Sequence, residues 1–171
     1  MKRVGREFFI RDVLEVAPGL LGKYLVRVGD DGNADRYLIT ETEAYRGEED
    51  LACHARKGKT PRTKVMYEKG GVLYVYLVYG IHWMLNIVTG PEEQPQAALI
   101  RCLKNAEGPG ILTKMLEIGK DFNGEDLAVS RRMWIENGVN PVPYRAATRV
   151  GIDYAGETWK NKPWRYIMTD H

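Results

Sequence analysis

Residues 74–86 read YVYLVYGIHWMLN. Two β-rich runs meet there at Tyr79-Gly80. Leu73 to Tyr79 is dense in Tyr, Val and Leu, and Ile81 to Val88 in Ile, Trp, Met and Leu. Aromatic and β-branched residues fit a pleated surface, and glycine tolerates the positive φ of a tight bend. The stretch is therefore predicted to be a β-hairpin. Alternation places Tyr74 and Tyr76 on one face. Tyr79 has the opposite parity and sits at the bend, so it projects from the tip. An aromatic-rich hairpin is more often core than site. A tyrosine at a hairpin tip is nonetheless awkward to bury, and suggests a probe for something flat.

Upstream, Asp12 to Leu21 begins as a helix that Pro18-Gly19 should break, leaving Leu20-Leu21 on the core. A strand over Lys23–Val28, a turn over Gly29–Ala34 and a strand over Tyr37–Tyr45 predict a second hairpin. From Arg46 to Gly70 the chain is loop-like and basic, with Arg56, Lys57, Lys59, Arg62 and Lys64 close together. Such a run is by default a solvated loop; its functional reading is a phosphate-contacting patch. Downstream, Gln96–Leu103 is a strand in which Arg101 needs a partner or a wet cleft. Gly108-Pro109-Gly110 opens a helix over Ile111–Ile118, with Ile111, Leu112, Met115 and Leu116 on one stripe. A turn over Asp121–Asp126 and a proline-punctuated loop over 139–143 precede two short strands, Ala147–Ile152 and Trp164–Met168. Strands joined by hairpins, with few helices, predict one α+β domain over residues 1–171 with a curved, largely antiparallel sheet.

Composition excludes more than it selects. The chain has 171 residues, 44% hydrophobic and 28% charged, with a net charge of +2. That balance does not announce nucleic acid, so any such case rests on local clustering. Cys53 and Cys102 lack metal-ligand spacing and read as reduced thiols. The N-terminal MKRVGREFF lacks an apolar signal core, and no apolar run reaches membrane-spanning length. A cytoplasmic protein, nucleoid-associated if bacterial, is the expectation, without membrane partners. No HExxH, GxSxG, Walker or GxGxxG motif occurs, and Ser130 is the one serine, which argues against zinc, serine-hydrolase and nucleotide-dependent chemistry.

The stretch that carries chemistry is TETEAY, residues 40–45. On a regular strand Ile39, Glu41, Glu43 and Tyr45 share a face. A carboxylate beside an aromatic in a half-buried cleft is a candidate general base; on a solvated edge it would mean nothing. His54 follows in LACHAR, where a lone histidine is more often structural. With Arg101, the aromatics and the basic loop, the inventory suits nucleic acid: rings stack bases, arginines hold phosphate, and an acid activates water.

These residues carry a resemblance to the alkyladenine (3-methyladenine) DNA glycosylase family. LLGKYLV at Leu20–Val26, ETEAY at Glu41–Tyr45, HARKGKTPRT at His54–Thr63, LYVYLVYG at Leu73–Gly80, LIR at Leu99–Arg101 and RVGI from Arg149 match in order over nearly the whole chain. The resemblance implies a DNA-repair glycosylase that flips a damaged purine out of double-stranded DNA and hydrolyses its N-glycosidic bond. Glu43 would activate the water and Arg101 would help position it. Tyr45 would stack on one face of the base, with His54 and Tyr76 opposite. Tyr79 would intercalate from the protruding hairpin, and Asn86 would clash with an unwanted exocyclic amino group. No cofactor, a monomeric state and no lyase activity are implied. Two other readings compete. A non-enzymatic nucleic-acid-binding module would use the same loop and aromatics but has no use for a buried acid. A carbohydrate hydrolase would need a second acid across the bond.

Overall fold

The computed structural model describes residues 1–139 and 141–170, so the loop expected over 139–143 lies partly outside the described residues. Its centre is an open antiparallel sheet. In chain order the strands are β1 (Tyr24–Val28), β2 (Ala34–Arg46), β3 (Leu73–Val78), β4 (His82–Thr89), β5 (Gln96–Leu103), β6 (Ala106–Glu107), β7 (Met133–Glu136), β8 (Tyr144–Ala147) and β9 (Arg165–Met168). The main path runs β3-β4-β5-β2-β1-β7, with β9 also on β2, β8 on β9 and β6 on β5. The helices are short: α1 (Arg6–Phe9), α2 (Val13–Gly19), α3 (Pro109–Met115) and α4 (Glu157–Lys160). The α+β class and the antiparallel sheet agree with the sequence reading. None of these helices is long and apolar enough to cross a membrane.

The two hairpins lie where the sequence puts them. β1 and β2 pair from Tyr24 with Leu38 to Val28 with Ala34. β3 and β4 pair from Leu73 with Ile87 to Val78 with His82. At the second turn Tyr79 has φ 53° and Gly80 φ 69°, and Ile81 N–H donates to Val78 O at 3.1 Å. Two positive φ values in succession suit the twist of the flanking strands. Glycine takes one at little cost; tyrosine is strained by it.

α2 starts at Asp12, whose carboxylate accepts from Leu14 N–H at 2.8 Å, an N-cap. It continues through Pro18 to Gly19 rather than breaking before them. Pro18 lies in the last turn, so its missing N–H ends the helix without kinking it. Leu20 and Leu21 follow, fully buried. They join Val13, Val16 and Ala17 of α2 against Ala44, Ala98 and Ile100 on one sheet face. The opposite face is covered by the segment expected to be plain loop. Short 3-10 turns at His54–Lys57 and Lys64–Tyr67 bury Cys53, Ala55, Val65, Met66 and Tyr67 against Tyr74, Val88 and Ala97. Its cations are exposed because its apolar residues are not.

Three other expectations need correction. The helix after Gly108 is Pro109–Met115, and only Leu112 and Leu116 of the supposed stripe are buried; Ile111 and Met115 face out. Pro109 opens the helix two residues early, and Glu117 ends the run in the left-handed region at φ 53°. The strand expected at Ala147–Ile152 is β8, Tyr144–Ala147, because pairing with β9 stops at Ala147 with Arg165. Beyond it Arg149 turns inward. Ile39 does not share a face with Glu43. Ile39 pairs with Leu103, Glu41 with Cys102 and Thr42 with Ile100. The pairing thus contains an extra residue on β2, Thr40, and then one on β5, Arg101. Each insertion flips its strand's alternation. Ile39 and Leu103 therefore point to the same core as Ala44, Ala98 and Ile100, while Glu43 and Leu99 point the other way.

Candidate active site

A single rung crosses four strands on that other face. Tyr74 pairs with Asn86, Asn86 with Leu99, and Leu99 with Glu43. The next rung runs Val88, Ala97, Tyr45. Paired residues share a face, so tyrosine stands at one end and carboxylate at the other, about 14 Å apart at three strand spacings. Ala97 and Leu99 make a low floor between them. The result is a cavity of about 440 Å³, within the ordinary range for small-ligand sites. Every site residue named from the sequence lines it, from Glu43 and Tyr45 on β2 to Tyr79 at the hairpin turn.

Glu43 is fully buried. Its Oε1 accepts from Tyr45 Oη at 2.9 Å and its Oε2 from Val150 N–H at 2.7 Å. Arg101 Nη1 stands 3.9 Å from Oε2. Burial raises the Glu43 carboxyl above its ordinary value, while Arg101, the Val150 amide and the Tyr45 hydroxyl pull it back. Burial and the neighbouring carboxylate push the Tyr45 phenol well up, so it stays a proton donor. Arg101 is aimed by a residue the sequence reading left without a role: its Nε donates to Glu41 Oε2 at 2.8 Å, and Glu41 Oε1 lies 3.5 Å from Arg165 Nη1. The extra residue at Arg101 is what brings it to this face.

The far wall is aromatic. The rings of Tyr74 and Tyr76 lie 5.2 Å apart, and the His54 ring 4.4 Å from Tyr76. His54 Nδ1 shares a hydrogen with Tyr74 Oη at 2.9 Å, so Tyr74, read as structural, holds the histidine. Asn86 Nδ2 donates to Tyr74 O at 3.2 Å, which fixes the amide against the wall. Tyr79 is 93% exposed at the rim, beside exposed Ile81. Burial, then Arg62, Arg56 and Lys57, lower the His54 imidazole to about 4.

His54 is therefore expected to stay neutral until the pH falls to about 4, as read from its imidazole ¹⁵N shifts; a midpoint near the ordinary 6.5 would overturn this. The sign for stability follows. Between 6.5 and 4 the unfolded chain binds the proton that folded His54 refuses. Its contribution is complete above 6.5 and is lost as the pH falls toward 4.

A second cavity of about 330 Å³ adjoins the first and shares His54 and Tyr154 with it. Arg56, Lys57 and Arg62 line it with Thr60 and Thr63. Lys59 pairs with Glu93 at 2.9 Å, whereas the other cations of this loop form no ion pair among the described residues. Among those residues no group of three His, Cys, Asp or Glu side chains is placed to hold a metal.

Residues 7–107 and 103–171 match the methylpurine-DNA glycosylase family. The chain belongs to that family. It is 42% identical to a protein of Psychrobacter cryohalolentis, over 96% of this chain and 91% of the relative. A Desulfitobacterium hafniense protein is 43% identical over 99% and 97%, and one from Legionella pneumophila 40% identical over 100% and 97%. Each is provisionally named a 3-methyladenine DNA glycosylase. Membership in the methylpurine-DNA glycosylase family gives the cavity its context, DNA repair by base excision. Within the family's frame, the features sequence reading missed are the Val150 amide, Glu41 and the buried Arg149–Asp50 pair. RVGI was legible as a motif, but nothing local says that its valine amide reaches a carboxylate 107 residues away.

Proposed function

We propose that the chain is a monofunctional DNA glycosylase that flips alkylated or deaminated purines out of double-stranded DNA and hydrolyses their N-glycosidic bond. The observation that carries this is Glu43: a buried carboxylate with both oxygens fixed, on the floor of an aromatic-walled cavity, with an arginine 3.9 Å away. That separation is too long for a direct hydrogen bond and suits one water shared between Glu43 and Arg101. Glu43 takes the water's proton as its oxygen bonds to the sugar C1′. The C1′–N bond breaks with its electron pair on the purine, leaving an abasic site. Alkylation places positive charge on the base, so it departs neutral. Tyr45, Tyr76 and neutral His54 favour a cationic ring through their faces without an opposing charge. Asn86 crowds an exocyclic amino group.

Reaching a base inside a duplex requires extrusion, at a cost of a few kcal/mol. Tyr79 offsets part of it by filling the space left behind. The unpaired cations beside the cavity contact backbone phosphates. Among the described residues no lysine lines the cavity, so no amine is placed for a Schiff base with the sugar. No cofactor enters this chemistry.

The test is incubation with methylated and hypoxanthine-containing duplexes. Free modified purine should appear in solution, with strands that break only on alkali treatment. Borohydride should trap no protein–DNA adduct; a trapped adduct would remove the monofunctional assignment, and failure to release any base the whole reading. The carbohydrate-hydrolase alternative finds no second acid here: Glu43 is the one carboxylate lining the cavity among the described residues, and Glu41 is tied to Arg101 and Arg165.

A further inference from the structure

We infer that the buried Arg149–Asp50 pair is a positioning device that sets the proton affinity of Glu43 by holding the Val150 amide on its carboxylate. The inference rests on reading Glu43 as the base. Both members of the pair are fully buried. Arg149 Nη1 donates to Asp50 Oδ2 at 2.7 Å and to Ala44 O at 3.0 Å; Nη2 donates to Asp50 Oδ1 at 3.1 Å and to Trp159 O at 3.2 Å. One guanidinium thus ties together β2 at the residue after Glu43, the loop after β2, and α4. Its carbon lies 5.0 Å over the ring of Tyr45, the other hydrogen-bond donor to Glu43. The next residue along the chain is Val150, whose N–H is the 2.7 Å donor to Glu43 Oε2.

The surroundings show why this segment needs an anchor. Val150 itself is 48% exposed, and Gly151, at φ 73°, meets nothing within 4 Å of where a side chain would start. β8 has ended at Ala147, and the segment is held otherwise by Arg165 Nε on Thr148 O at 2.6 Å. An exposed loop without ladder bonds would not by itself keep an amide aimed at a buried carboxylate. Arg149 supplies the aim from beneath. Four of its N–H bonds are used, and its Nε is without a hydrogen-bond partner in the interior, so the side chain accepts a desolvation cost to make this connection.

The charged and titratable groups facing Glu43 come from every neighbouring element. Tyr45 is on β2, Arg101 on β5, Tyr76 on β3 and Arg149 on the loop after β8; Glu41 is neutralised between Arg101 and Arg165. The amide of Val150 and the charge of Arg149 both favour the ionised carboxylate. Loosening Arg149 weakens both at once, so Glu43 holds its proton to higher pH. A substitution that only unsettled the fold would lower the rate by the same factor at every pH.

Arg149→Lys keeps a positive charge but cannot make the bidentate bond or reach both carbonyls. Single-turnover excision of 7-methylguanine from duplex DNA is measured against pH, with binding to an abasic duplex as control. The acid limb is expected to move up by about one unit, so the rate on that limb falls about tenfold, with the loss shrinking as pH rises. Asp50→Asn should move it the same way, and binding to the abasic duplex should change little. If the folded variants keep the wild-type limb, or lose a constant factor at all pH values, the inference is overturned. Should neither variant fold, the Val150 amide shift in the unsubstituted protein decides: it must titrate with the midpoint of the limb, and an amide silent through the limb overturns the inference. Glu43→Gln in the same assay separates the two readings. A Gln variant that excises normally sinks the base assignment; an inactive one beside an unshifted Arg149→Lys sinks only the positioning role.

Discussion

Glu43→Gln is expected to slow excision of alkylated purine by about 10²- to 10⁴-fold, the usual worth of a general base, while duplex binding persists. Glutamine has the same volume, so the cavity keeps its shape. Its amide oxygen can still accept from Val150 N–H, and its NH₂ can donate to Tyr45 Oη, which then accepts. What it cannot do is take a proton from water. The same reasoning gives the pH dependence of the unsubstituted protein. Burial raises the Glu43 carboxyl, so activity is lost as the pH falls through that raised value. For stability the sign is reversed. Above the unfolded value of 4.5 the unfolded chain releases a proton that folded Glu43 retains, and stability declines as the pH rises through the folded value. Ionised Glu43 thus costs the fold something at neutral pH, and the Gln variant should melt no lower than the parent there. Base release, binding to an abasic duplex and thermal melting give the three readings. A Gln variant as fast as the parent would remove Glu43 from the reaction.

Tyr79→Gly should make the protein more stable and less active. At φ 53° a tyrosine bears roughly 1–2 kcal/mol of left-handed strain. Glycine is free of it but gives back roughly 0.5–1 kcal/mol in unfolded-chain entropy. The net gain is up to about 1 kcal/mol, or about 2–4 °C in melting temperature for a chain of this size. Tyr79 buries almost nothing in the free protein, so its removal costs the core nothing. Against DNA the account is opposite. An aromatic stacked among bases contributes about 1–3 kcal/mol, so excision and affinity should fall by about 5- to 150-fold. Tyr79→Ala separates the two effects: it loses the ring yet keeps the strained backbone, so activity falls without the gain in stability. Unchanged excision in both variants would return the tip to an ordinary turn.

Much of this was legible because period-2 alternation and dense Tyr and Val leave little choice. β5 spans Gln96–Leu103 as read, and the hairpin strands agree to within a residue or two at each end. Glycine at position 80 located the turn. What was not legible depends on partners distant in sequence. Thr40 and Arg101 look like ordinary strand residues; only the pairing of β2 with β5 makes them extra, and this is why Ile39 was assigned to the wrong face. β7 lies in RRMWIE, which reads as a charged segment. It is a strand because β1 offers it an edge. Ala147–Ile152 has strand composition, but the buried charge of Arg149 pulls the chain out of the sheet. Glu43, Tyr45 and Tyr76 could be named from motif and parity. The groups that hold Glu43 and Arg101 could not, because none is a neighbour along the chain except Tyr45.

The Val150–Glu43 bond joins positions 107 residues apart, and Arg149–Asp50 positions 99 apart. Contacts that close such long loops carry the largest ordering entropy and tend to form after local hairpins are in place. The β3–β4 hairpin, by contrast, is closed by a three-residue connection. The order of assembly follows: the reading tip can form early, and the reactive carboxylate acquires its partners only when the chain beyond residue 149 has docked. A half-made molecule can therefore present its tyrosine to DNA before it owns a competent base, and chemistry is reserved for the finished fold.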